Sequence, residues 1–148
     1  MKKETTTYSH QTCLAARRWH LVDAQGKTVG RLASVVASAL RGKMNPAFSP
    51  HLDTGDFVVV INARQVRFTG NKLQEKIYYR HTEYPGGIRQ TLAGQLLKSR
   101  PEDILKKAIT GMLPKTPLGR QLAKKVKIYP GPDHPHTAQQ PVVFSLGE

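Results

Sequence analysis

The run Phe57-Val-Val-Val-Ile61 constrains the fold of this 148-residue chain more than any other feature. Its residues are apolar without interruption, and all but the first are β-branched. A strand with one wet face alternates apolar and polar residues, whereas a continuous run belongs inside a parallel sheet covered on both faces. Trp19 to Ala24 (WHLVDA) reads as a second short buried strand entering a Gly-containing turn. Between these two, Val29, Leu32, Ala33, Val35, Val36, Ala39 and Leu40 recur at three- and four-residue spacing. That spacing predicts a helix over 28–41 with a wide apolar stripe, and Gly42 suits its C-terminal stop. Pro46, Pro50 and Gly55 mark 43–56 as a crossover loop. Strand, helix and strand then make one right-handed βαβ unit, and the fold class is α/β.

The remaining chain supplies a projection, two helices and two tails. Residues 64–90 hold Gly70, Pro85, Gly86 and Gly87 around Ile77-Tyr78-Tyr79, with Lys and Arg outnumbering Glu75 and Glu83. This reads as a basic, partly extended projection. Ser99 followed by Glu102 has the pattern of a capping box ahead of Ile104, Leu105, Ala108, Ile109 and Met112, which share a helical face. Thr116-Pro117 marks the start of another helix, with Leu118, Leu122, Ala123 and Val126 on its apolar side. Arg120, Lys124, Lys125 and Lys127 are left largely free on that reading. The expected organisation is an N-terminal tail over 1–18, one α/β domain over 19–130, and a proline-containing C-terminal tail over 131–148.

Charge narrows the function. Lys and Arg number 23 against 10 Asp and Glu, a formal net charge of +13. A surface so basic self-repels unless a polyanion neutralises it, which makes nucleic acid the leading partner. The amino terminus, MKKETTTYSH, has no apolar stretch after its lysines, and no 18-residue apolar run occurs, so the expectation is neither export nor membrane insertion. Cys13 is the only cysteine, which excludes an internal disulfide and a zinc site of paired cysteines and fits a reducing cytoplasm. From Ile104 to Pro132 there are seven Lys or Arg and no acid. Solvated faces ordinarily mix signs, so an unbroken positive stretch favours a polyanion. Tyr78, Tyr79, His81 and Tyr84 interleave with Lys76, Arg80 and Arg89, a composition suited to stacking on bases while gripping phosphates, though also to ordinary strand aromatics.

Catalytic and cofactor patterns fail on inspection. Gly26-Lys27-Thr28 opens a helix as a phosphate loop would, but a Walker loop needs a glycine where Leu21 stands, and the dinucleotide pattern is also incomplete. A tight βα turn remains, in which Lys27 and Arg31 are placed to hold an RNA phosphate. His134-Pro-His136 has neither helical nor zinc-hairpin spacing, so no metal is expected. His81-Thr-Glu83 begins like a zinc deaminase signature but lacks the later cysteine pair. Cys13 has no nucleophile-elbow context, and Asp53 and Asp56 read as turn and cap residues rather than an acid–base pair. No enzymatic activity, cofactor or small-molecule substrate is expected.

The segments WHLVDAQGKTVGRLAS, LRGK, HLDTGDFVVVINA, TGNKLQEKIYYRHT, YPGGIR, GMLPKTPLGRQL and HPHTAQQP, in that order and spacing over 17–143, resemble the bacterial-type ribosomal protein family numbered thirteen in the L series of the large subunit. The resemblance implies a three-layer α/β/α fold with a mostly parallel four-stranded sheet. It also implies binding to large-subunit ribosomal RNA beside neighbouring ribosomal proteins, and a role early in subunit assembly and translation. Family-like basic positions are Lys27, Arg31, Arg41, Lys43, Lys72, Lys76, Arg80, Lys115, Arg120 and Lys127, with His134 and His136 in the tail. Arg17, Arg18, Lys124 and Lys125 join them as RNA-binding candidates on charge. Met44, Thr116 and Pro130 depart from the family pattern, where His, Gly and Ala are common; the last two bear only on local loop geometry.

Overall fold

In the computed structural model, which describes residues 17–144 together with Ser9, Gln11 and Thr12, Phe57–Ile61 is strand β2 in the interior of a four-stranded sheet. Trp19–Asp23 forms β1, Val126–Ile128 β5 and Val142–Val143 β6, in the order β5-β2-β1-β6. All three pairings are parallel, with Trp19 opposite Phe57, Val58 opposite Val126 and His20 opposite Val142. Val58, Val59 and Val60 are fully buried, as a strand covered on both faces requires. The expected α/β class and parallel sheet are therefore present.

Helix α1, Val29–Arg41, packs on the sheet through Leu32, Val36 and Leu40. Gly42 ends it in the left-handed region at φ 80°, its N–H reaching the carbonyls of Ala39 and Ser38. A second, separate sheet is the hairpin of β3, Ile77–His81, and β4, Ile88–Leu92, preceded by the one-turn helix α2, Lys72–Glu75. The hairpin overlaps the stretch 64–90 that the sequence reading takes as a basic, partly extended projection, and runs two residues past it. Then come α3, Ala93–Ser99, α4, Pro101–Met112, and α5, Pro117–Ala123. Ile104, Leu105 and Ile109 of α4 and Leu122 of α5 join the same buried cluster as Val22, Val58, Val60 and Val126.

The chain steps from β1 to β2 to β5 in one direction across the sheet. Right-handed crossovers put the helices of both connections on the same face. The return from β5 to β6 passes back over β2 and β1, and by the same rule it covers the opposite face. That face bears Trp19, Phe57 and Val59, and its outer layer is the helix-free segment 129–141. Trp19 stacks on Phe57 at 4.5 Å between ring centroids, and His136 of the returning segment lies 5.2 Å from Trp19.

Four details differ from the sequence reading. Ser99 does not cap α4: it ends α3, and its hydroxyl donates back to the Gln95 carbonyl at 3.0 Å, while Pro101 occupies the first turn of α4. Met112 lies at the helix end and is 48% exposed. Val126 is not helical, because the chain leaves α5 at Ala123 and pairs Val126 with Val58. The C-terminal tail contributes β6, which closes the sheet beside β1. The start of α5 is as expected, with the Thr116 hydroxyl accepting from the Gly119 N–H at 3.2 Å. Cys13 and most of residues 1–16 lie outside the described residues.

Two glycines test the packing in opposite directions. A Cβ on Gly55 would collide with the Leu40 carbonyl, where the crossover loop crosses the end of α1. Gly111, in α4, has nothing within 4 Å of the equivalent position. Gly55→Ala is expected to destabilise by about 1–3 kcal/mol, and Gly111→Ala to stabilise by about 0.5 kcal/mol through reduced backbone entropy. Urea unfolding midpoints check both signs.

Candidate nucleic-acid interface

The candidate cations fall into separate groups, and the groups differ in how free they are. At the N-terminal ends of the strands Arg17 and Lys125 are already neutralised. Arg17 Nη2 donates to Asp53 Oδ2 at 2.7 Å, and Lys125 Nζ donates to the other oxygen of Asp53 and to the Gly55 carbonyl at 2.9 Å. Lys125 is 4% exposed, so it is not on a free helical face as its spacing indicates; it sits just before β5 and turns inward. Burial pushes the Lys125 ammonium below the ordinary lysine range, against the opposing pull of Asp53. Asp56 is also occupied, with His20 Nε2 at 3.0 Å and the Arg18 N–H donating at 3.0 Å. Asp53 accepts from the Gly55 N–H at 3.3 Å, so the expected turn role holds beside its role as counter-ion. Arg18 itself is exposed.

At the opposite end of the sheet, Gly26 takes φ 68° in a tight turn after β1, and the Lys27 N–H bonds the Ala24 carbonyl. This is the plain βα turn expected there, with Lys27 half-buried and Arg31 exposed on the first turn of α1. Arg41 lies over the Phe48 ring at 5.7 Å, with Lys43 exposed just beyond. The tail histidines are partly spent on packing. His136 shares a 2.8 Å hydrogen bond between Nε2 and the Tyr129 hydroxyl, and His134 stacks beside it, so the pair anchors the return crossover.

Lys115, Arg120, Lys124 and Lys127 are exposed on and around α5 and β5, and none forms an ion pair among the described residues. The segment is acid-free in sequence but less so in space. A groove of about 590 Å³ between α4 and β5 is lined by Lys106, Lys124 and Lys127, and also by Glu102 and Asp103 from the start of α4. Lys72, Lys76 and Arg80 are exposed on the projection. Arg89 on β4, read with Lys76 and Arg80 as suited to gripping phosphates, and Lys107 on α4, outside the expected set, stand with them. The acid-free stretch already contains Lys107, but only the fold brings it to the hairpin.

The model of the ribosomal protein L13 family matches residues 17–135. The chain belongs to the ribosomal protein L13 family. Among its relatives is the large ribosomal subunit protein uL13 of Brevibacillus brevis, 55% identical over 141 residues that span 95% of this chain and 97% of that one. The uL13 proteins of Bacillus cytotoxicus and Bacillus thuringiensis are 54% and 53% identical over the same shares. Membership of the L13 family accords with the resemblance carried by the motifs. At Thr116, where the sequence departs from the family pattern, the structure gives the side chain a capping bond that glycine has no oxygen to make.

The buried lysine gives a clear contrast. Lys125→Met leaves Asp53 with Arg17 and the Gly55 N–H but strips the Gly55 carbonyl of its lysine donor, and is expected to cost about 1–3 kcal/mol, whereas Lys127→Ala on the exposed side stays within about 0.5 kcal/mol. Because burial lowers the folded-state pKa of Lys125, the unfolded chain holds the proton to higher pH. From this group alone, stability rises with pH up to the ordinary value of 10.5. The stability gap between the unmodified chain and Lys125→Met should therefore widen from pH 7 to pH 10 in chemical denaturation.

Proposed function

We propose that this chain is a structural constituent of the large ribosomal subunit that binds large-subunit ribosomal RNA and enters early in subunit assembly. Its relatives carry the name of a large-subunit protein, which supports the first part and a working place in the cytoplasmic ribosome. The single observation that carries RNA binding is the excess of exposed, unpaired cations. Among the described residues Asp53 and Asp56 take up Arg17, Lys125 and His20 in all three ion pairs, leaving the exposed Arg31, Lys43, Lys72, Lys76, Arg80, Lys115, Arg120, Lys124 and Lys127, and the half-buried Lys27, without a carboxylate.

The mechanism follows from electrostatics. Folded RNA brings phosphates close together, and cations on a rigid protein reduce that repulsion while releasing condensed counterions. The parallel sheet and its helices hold the cations; the RNA supplies the opposite charge. Selectivity comes mainly from RNA shape, since A-form grooves hide base edges and only loops present readable bases. Neighbouring large-subunit proteins are expected alongside, and the chain has no catalytic step to perform on this reading.

Salt dependence measures this directly. If about 8 phosphates are neutralised, the log–log slope of affinity against salt is about −6 to −7, a loss on the order of 10⁴-fold between 50 and 200 mM salt. Filter binding to a large-subunit rRNA transcript reads it, and a salt-independent affinity would exclude the mechanism. Arg120→Ala, Lys124→Ala and Lys127→Ala together should weaken binding with native circular dichroism retained. Sedimentation of a lysate should place the chain with ribosomal particles rather than free.

A further inference from the structure

The β3–β4 hairpin has two chemically opposite faces. Cross-strand register pairs Ile77 with Leu92, Tyr79 with Gln90 and His81 with Ile88 on one side, a set without a lysine or arginine. The other side pairs Tyr78 with Thr91 and Arg80 with Arg89. Like charges directly opposite one another on an antiparallel pair are destabilising, and short hairpins have little stability to spare. Arg80 and Arg89 are both exposed, and neither meets a carboxylate among the described residues.

The same side collects two more cations. Lys76 Nζ lies 5.3 Å and Lys107 Nζ 5.1 Å from the centre of the one Tyr78 ring. Tyr78 is half-buried against the core cluster, so this face of the hairpin looks toward the helical layer, and Lys107 reaches it from α4. Attraction to the ring face fixes where the lysines sit, but each also repels the other. Glu75 and Glu83, nearest in sequence to the hairpin cations, and Asp103, one turn before Lys107 on α4, pair with none of the four. Four cations are thus gathered in the angle where the hairpin leaves the helical layer, with no counter-ion supplied by the described chain.

We propose that this angle is a phosphate-backbone clamp, in which Arg80 and Arg89 from the hairpin and Lys76 and Lys107 beside Tyr78 grip consecutive phosphates of one RNA strand. This rests on the RNA-binding reading above and assigns it a place. It adds Lys107, sets Arg89 opposite Arg80 in one grip, and makes the hairpin a one-sided contact whose reverse face carries no part of it. Guanidinium forks suit phosphate oxygens bidentately, and the two lysines add point charge deeper in the angle.

The test uses the full chain and a full-length large-subunit rRNA transcript, with affinity measured against KCl concentration. Arg80→Gln with Arg89→Gln should reduce the log–log slope by about 1.5–2 and weaken binding on the order of 30-fold at 0.1 M salt. In the free chain the same pair should raise the thermal midpoint by about 1–4 °C, because a repulsion is removed. That opposition of signs is not expected of residues that merely hold the hairpin together. Arg80→Lys with Arg89→Lys should keep the slope, and Ile88→Ser on the reverse face should leave slope and affinity unchanged. An unchanged slope in the glutamine pair, or an equal loss in Ile88→Ser, would overturn the clamp. Failure of the unmodified chain to bind the transcript would instead overturn the RNA-binding reading, and the clamp with it.

Discussion

One carboxylate ties the starts of three strands together. Asp53 takes Arg17, which leads into β1, and Lys125, which leads into β5, while its own loop delivers the chain to β2. The Lys125 ammonium also grips the Gly55 carbonyl on that loop, and Gly55 can approach Leu40 so closely only because it has no side chain. A buried charge without a partner is costly, so each member of this junction depends on the others being in place. Strand order at this end of the sheet is therefore enforced by ionic pairing as well as by the apolar core.

The same junction explains how a chain with net charge +13 keeps a compact interior. Acids are few, and Asp53 and Asp56 are spent where strand ends crowd basic residues together. Elsewhere the cations are left to the surface. Among the described residues the hairpin cations form no ion pair, the α5–β5 side is offset only by Glu102 and Asp103 across its groove, and the hairpin also leaves Ile77, Tyr79, Ile88 and Leu92 exposed on its reverse side. Such a surface is built for surroundings that supply both negative charge and cover. Membership of the L13 family agrees with that, since its relatives carry the name of a large-subunit ribosomal protein.

Local signals carried much of the fold. The uninterrupted β-branched run located β2, three- and four-residue spacing located α1, and Thr116-Pro117 located the start of α5. What escaped was set by partners distant in sequence. Val126 continues a helical period, yet pairing with Val58 draws it into a strand; Lys125 looks like a solvent-facing cation until Asp53, 72 residues away, is brought to it. Ser99 resembles a cap because Glu102 follows it at capping-box spacing, yet Ser99 ends α3 and Pro101 opens α4. For the interface, the sequence identified most of the exposed cations, but not the meeting of Lys107 with Tyr78, nor the nearness of Glu102 and Asp103 to the α5–β5 groove.

The placement of β6 bears on the order in which the fold can be completed. Val142 and Val143 add to β1 from the far end of the chain, after a return crossover held by His136 and Tyr129 rather than by a helix. In a chain made from its amino terminus, β1 can find β2 early, while β6 cannot pair with its other edge until Val143 has been made. An open strand edge invites pairing with other chains. Closing so long a loop for a two-residue strand gains little by itself, so the Trp19–His136 contact on the crossover adds to what holds β6 in place. Until β6 is in place, the outer edge of β1 lacks the strand that covers it in the folded sheet.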